Sequence, residues 1–187
     1  MIELIKKNYL VCVGIFLSFV LIVIFYEIFF DNKTFGSSDN LSPKAVGLAL
    51  NEVMEKEGGY PHWQPWVFSG MPTAEAFTNI SQLYFPEYLF KIFSVPGMFI
   101  QISHFLFCGI GMVLLLRYLG CSYWSSLLGS IGFMITPYMV TMLVFGHGSQ
   151  IMTAAYIPWI VMFAIKLWNN PKIVNIGILS LLLGLSL

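Results

Sequence analysis

Residues 9–30 read "YLVCVGIFLSFVLIVIFYEIFF", with Glu27 the single charged side chain. This run decides the class of fold. At the α-helical rise, 22 residues extend about 33 Å, enough to cross the hydrocarbon core of a bilayer. No small-residue cleavage site follows, so the run reads as a retained anchor rather than a signal peptide.

Working outward, comparable apolar runs occur at 95–116, 127–144 and 151–168, and a fifth opens at Ile173. That fifth run is still apolar at Leu187, so the chain is expected to be the N-terminal part of something longer. The totals agree. Charged residues make up 10% of the chain and apolar ones 58%, against roughly 25% charged in ordinary soluble domains. The sequence therefore predicts an all-α polytopic membrane protein in three parts. Residues 1–30 hold the N-terminus and first span, 31–94 form a large loop between the first two spans, and 95–187 hold spans two to five. A formal net charge of zero gives no reason to expect nucleic acid as a partner. Membrane lipids are the expected surroundings. Cys12, Cys108 and Cys121 show no metal-ligand spacing and read as structural.

Short connections set the expected orientation, because Lys and Arg collect on the cytoplasmic side. Lys6, Lys7, Arg117, Lys166 and Lys172 all fall on one side if the N-terminus is cytoplasmic. The connection "GHGSQ", 146–150, has no Lys or Arg and then faces outward, as does 31–94. A cell-membrane location follows. Pro137 and Pro158 lie inside spans three and four, where each removes a backbone donor and is expected to bend its helix.

The outer segment is patterned. Ser42-Pro43 reads as an N-cap followed by proline at the first helical position. Val46, Ala49, Leu50, Val53 and Met54 recur at helical spacing up to Gly58-Gly59, which stops the helix. "YPHWQPWVFSGMPT", 60–73, combines three prolines with two tryptophans. Such rings favour the membrane–water interface, and the prolines specify a rigid shape. With the interfacial stretch 82–93, the segment is expected to form a small folded cap on the bundle.

"SSDNLSPKA", "YPHWQPWVFSGMP", "LYFPEYLF" and "GHGSQIMTAAYIPW", in this order, resemble the bacterial YfhO-type membrane proteins of the GT-C-like glycosyltransferase group. The resemblance covers most of 35–165. It implies a GT-C-like helical bundle with an outward-facing site and a polyprenyl-phosphate-linked sugar as donor. The acceptor would be an extracytoplasmic glycan or lipid. It also implies an acid soon after span one that activates the acceptor, and the matching position is Asp39. The chain shows "SDN" rather than DxD, so a divalent metal has no motif to support it and the cofactor stays open. One acid is chemically sufficient. A sugar on a lipid phosphate leaves as a stable anion, so a base within reach of the acceptor hydroxyl is what the reaction requires.

Each candidate also has a plain explanation. Asp39 sits where short acids commonly bond turn amides. His147, between two glycines in the outer turn, is placed to meet a phosphate or sugar hydroxyl, or is simply a polar turn residue. Gln150 and Ser149 share that turn. His62 in the aromatic-proline stretch is a weaker binding candidate. Lys44 and Lys33 are the nearest outer cations for a phosphate. Asp31 and Glu27 read as hydrated acids at the end of span one, and His104 as a hydrogen-bonded residue between helices. The rival functions are a transporter or flippase whose outer segment is a lid, and a non-catalytic scaffold of the cell envelope.

Overall fold

The computed structural model describes residues 8–31, 33–59, 61–73 and 84–186. The chain is mostly helical. Among the described residues three stretches are long and apolar enough to cross a membrane, Gly97–Tyr118, Tyr123–Val144 and Gly148–Asn169, of 22 residues each.

The expected first span is divided. Helix α1, Tyr9–Ile24, ends at Phe25, and a short α2, Tyr26–Phe30, continues from it. Phe25 leaves helical geometry (φ −102°, ψ 29°) while its ring packs edge-on against Phe105, 5.5 Å between centroids. A tertiary contact thus accompanies the interruption of a run that is continuous in sequence.

Helix α3, Ser38–Glu57, begins five residues before the expected start, which had Ser42 as N-cap and Pro43 as first helical residue. Ser37 is the N-cap, with extended backbone (φ −78°, ψ 154°). Pro43 therefore lies in the second turn, where residue 43 has no N–H to give the Asp39 carbonyl. The expected stop holds: Gly58 is left-handed (φ +73°), and its N–H bonds Met54, the conformation glycine adopts without a Cβ penalty.

The aromatic-proline stretch forms a two-stranded antiparallel hairpin, β1 Trp63–Gln64 and β2 Met71–Pro72. Thr73 closes it, donating from its N–H to the His62 carbonyl at 3.0 Å and from its hydroxyl to the Pro61 carbonyl. Helix α4, Phe85–Ile92, follows.

Helix α5, Gly97–Tyr118, is the hub. It packs against α1, against α6 (Tyr123–Met134), and against α8 (Gly148–Ala155) and α9 (Ile157–Asn169). Two glycines on it admit close neighbours. A Cβ on Gly109 would lie 3.0 Å from both Leu17 and Met134, and one on Gly111 would lie 2.3 Å from the Trp159 ring. Ser130 from α6 donates to the Gly109 carbonyl at 2.7 Å. Phe105, Cys108 and Val113 are fully buried between these layers.

The prolines divide spans three and four. Helix α7, Pro137–Val144, starts with Pro137 in its first turn, and Thr136 accepts from the Met139 N–H as its N-cap. Helices α8 and α9 meet at Tyr156, with Pro158 at the start of α9. A last helix, α10, covers Ile173–Ser186. Spans two to four begin at 97, 123 and 148, whereas hydropathy placed them at 95, 127 and 151. Large apolar side chains, among them Ile15, Phe19, Leu128 and Val174, remain exposed along the bundle, which water does not favour and lipid does.

Candidate functional site

One end of the bundle gathers the outer-turn residues. Because α3 starts at Ser38, Asp39 falls in its first turn, where the positive end of the helix dipole favours a carboxylate. His147 caps α8. Gly146 before it has φ +92°, which a β-carbon would strain. The His147 N–H bonds the Met142 carbonyl at 2.8 Å, and its own carbonyl accepts from Gln150 at 3.1 Å. The ring is thereby aimed at Asp39: His147 Nε2 lies 3.5 Å from Asp39 Oδ2.

The pair remains open to solvent, with side chains 42% and 56% exposed. An exposed pair of this kind stabilises a fold by about 0–1 kcal/mol, so packing gives little reason for it. Its spacing is loose for a hydrogen bond, as acid–base groups often are before a ligand tightens them. Beside it runs a groove of about 260 Å³ lined by Phe35, Gly36, Ser37, Val144 and Phe145. The Ser37 hydroxyl oxygen is buried and has no hydrogen-bond partner among the described residues.

Gln101, at the start of the second turn of α5, was not singled out from the sequence. Its amide lies flat against Gly148, where a Cβ would come within 2.0 Å of Nε2. Two signals in the sequence point to it, a polar amide opening an apolar span and a glycine directly after a histidine.

One helical turn further along α5, His104 is buried in a hydrogen-bonded chain. Its Nδ1 lies 2.7 Å from the Ile100 carbonyl, so that nitrogen carries the proton and Nε2 accepts. The Tyr84 hydroxyl donates to Nε2 at 2.6 Å, and the Tyr156 hydroxyl in turn donates to Tyr84 at 2.6 Å. His104 is thus hydrogen-bonded, as expected of a polar residue in an apolar helix, but its direct partners are Ile100 of its own helix and Tyr84 of the segment before α4, and Tyr156 at the α8–α9 joint is reached only through Tyr84. Burial holds the Tyr84 hydroxyl above its ordinary range.

The other candidates are not drawn into this constellation. Ser149 and Gln150 lie in the first turn of α8 rather than in a loose turn, and both are exposed. His62 is exposed beside the hairpin. The Lys44 side chain lies outside the described residues, as do Lys6 and Lys7. Lys33 lies 3.1 Å from Glu27 and 4.0 Å from Asp31, so its charge is already matched and both acids have their plain explanation. Among the described residues no three His, Cys, Asp or Glu side chains gather as a metal site would require.

No protein-family model, curated protein or solved structure matches the chain significantly. Its function has to be argued from its own side chains.

Proposed function

We propose that this is an integral membrane protein whose Asp39–His147 face performs group transfer at the extracytoplasmic surface. The reaction is a GT-C-like glycosyl transfer from a lipid-phosphate donor to an outer acceptor. One observation carries this proposal: two residues from separate segments, each singled out by its sequence, lie with Nε2 and Oδ2 3.5 Å apart on an open face. In the reaction Asp39 takes the proton of the acceptor hydroxyl. The acceptor oxygen attacks the anomeric carbon, the bond from that carbon to the phosphate oxygen breaks, and the phosphate leaves with the electron pair. His147 orients the Asp39 carboxylate and, when protonated, offers a charge-assisted donor to the departing phosphate. The groove along Phe35, Val144 and Phe145 suits the apolar part of the donor. Ser149 and Gln150, exposed on the next turn, are within the same surface for sugar hydroxyls.

The test is Asp39→Asn and His147→Ala in the full-length protein, with envelope glycan composition compared at matched membrane levels. Loss of a specific glycan in Asp39→Asn, matching that of the deletion, supports the proposal. A glycan that depends on the gene but is unchanged by Asp39→Asn refutes the acid's role.

A transporter keeps one observation of its own, the His104–Tyr84–Tyr156 chain that reaches the α8–α9 joint, since broken helices with polar groups mark many transport sites. Substrate uptake lost in Tyr156→Phe, with glycans unchanged on deletion, selects that function instead.

A further inference from the structure

The opposite end of the bundle holds a second groove, of about 360 Å³, lined by Asn8, Tyr9, Leu10, Val11, Leu114, Arg117 and Tyr123. Arg117 and Gln101 sit at opposite ends of the same helix α5, so the two grooves are separated by its length. The guanidinium is held at two points. It donates from Nη1 to the Cys121 carbonyl, and it lies 3.9 Å over the Tyr123 ring. Tyr9 completes the frame, donating to the Tyr123 carbonyl at 2.8 Å with the two rings edge to face.

Among the described residues no carboxylate lies within 4 Å of Arg117, and residues 95–187 contain no Asp or Glu at all. Lys166 lies at the same end, over the Tyr118 and Phe163 rings. A guanidinium fixed in place with donors to spare is preorganised for a phosphate, whose oxygens match its fork. The remaining walls define what carries that phosphate. Leu10, Val11 and Leu114 make one side of the groove apolar, and Leu10 and Val11 are exposed. Trp124 and Trp168, both strongly exposed, sit at this end where indole rings favour the membrane interface.

We infer that the α1–α5 groove binds a phosphate group, presented by an anionic phospholipid of the leaflet at the Arg117 end. The headgroup phosphate meets Arg117 with Asn8 and Tyr9 beside it, and an acyl chain lies along Leu10, Val11 and Leu114. The inference rests on the membrane placement proposed above and is independent of the chemistry assigned to Asp39.

The full chain, purified in a neutral detergent, is titrated with phosphatidylglycerol, with phosphatidylcholine and with inorganic phosphate. Bound lipid is read by native mass spectrometry. Wild type is expected to retain phosphatidylglycerol about tenfold over phosphatidylcholine, the scale of one charge-assisted contact. Arg117→Gln loses that preference. Lys172→Gln, which removes the same charge outside the groove, keeps it. Leu114→Trp fills the groove with the arginine intact and also loses the preference, so the inference remains testable if Arg117→Gln folds poorly. Equal loss in Lys172→Gln and Arg117→Gln overturns the site in favour of diffuse attraction. Retention of the preference in Leu114→Trp overturns it too. Inorganic phosphate that displaces the lipid mole for mole keeps the anion site and overturns the lipid as its source. Failure of the chain to enter any bilayer sinks the membrane placement itself, and is read separately by flotation with phosphatidylcholine vesicles.

Discussion

Gly111→Ala tests the packing of the hub helix. Two effects oppose each other. Replacing glycine inside a helix stabilises it by about 1 kcal/mol. Against that, the new methyl would sit 2.3 Å from Trp159 Nε1 and 2.6 Å from Cδ1. The indole is not free to move aside, because Nε1 donates to the Phe107 carbonyl at 3.0 Å and the ring stacks on Phe107 at 4.9 Å. Forcing it out adds overpacking of about 1–3 kcal/mol and removes a hydrogen bond of about 0.5–1.5 kcal/mol. Steric cost wins, and the expected net loss is about 1–3 kcal/mol. Unfolding in mixed micelles measures it, with a double-mutant cycle through Trp159→Leu. In that background the methyl has room, so Gly111→Ala becomes neutral or stabilising. An unaltered transition for Gly111→Ala, or an equal loss in both backgrounds, would refute the packing described.

Further outcomes follow from the same coordinates. Tyr84→Phe leaves the His104 acceptor and the Tyr156 hydroxyl without their partner, at a cost of about 1–3 kcal/mol, and proteolysis of the outer segment quickens. Because burial raises the Tyr84 hydroxyl above its usual value of 10.0, the folded form keeps that proton longer than the unfolded chain. Stability from this chain is therefore fully present below pH 10.0 and is lost as pH rises through the raised folded value, a slope that melting curves in Tyr84→Phe should show reduced. Gly70→Ala combines a φ of +116° with a Cβ 2.7 Å from the Trp63 ring, and destabilises the hairpin by about 1–3 kcal/mol, read as a shift in tryptophan emission. Glu27→Gln removes an exposed pair with Lys33 and changes stability by no more than about 1 kcal/mol, with envelope glycans unaltered.

Hydropathy was enough to find the three long apolar stretches at 97–118, 123–144 and 148–169, because a run of about 20 apolar residues is the signal of a bilayer span. It missed the interruption at Phe25, which coincides with a ring contact to Phe105 that no local pattern records. The start of α3 was placed at Ser42 because Ser-Pro is a strong start signal, yet the helix opens after Ser37, whose hydroxyl makes no capping bond, and the longer helix keeps Asp39 in its first turn. Asp39 and His147 were each legible as polar residues in conspicuous places, but their approach to one another, 3.5 Å between Nε2 and Oδ2, joins segments more than a hundred residues apart and no local pattern records it. His104 announced that it needed a partner by being polar in an apolar helix. Which partners it found was not legible, since Tyr84 and Tyr156 come from opposite sides of α5 in the chain. Gln101 was hidden because its site is shaped by what Gly148 lacks.

The bond between Tyr84 and Tyr156 joins residues 72 positions apart, and this sets an order on biosynthesis. At ribosomal speeds of 5–20 residues per second, roughly 4–14 s separate the synthesis of the two tyrosines. During that interval the segment that carries Tyr84 exists while the joint that will fasten it has still to be made. Any factor that binds the nascent chain meets this segment unfastened, and the wait ends only when Ile157–Asn169 is laid beside Gly97–Tyr118.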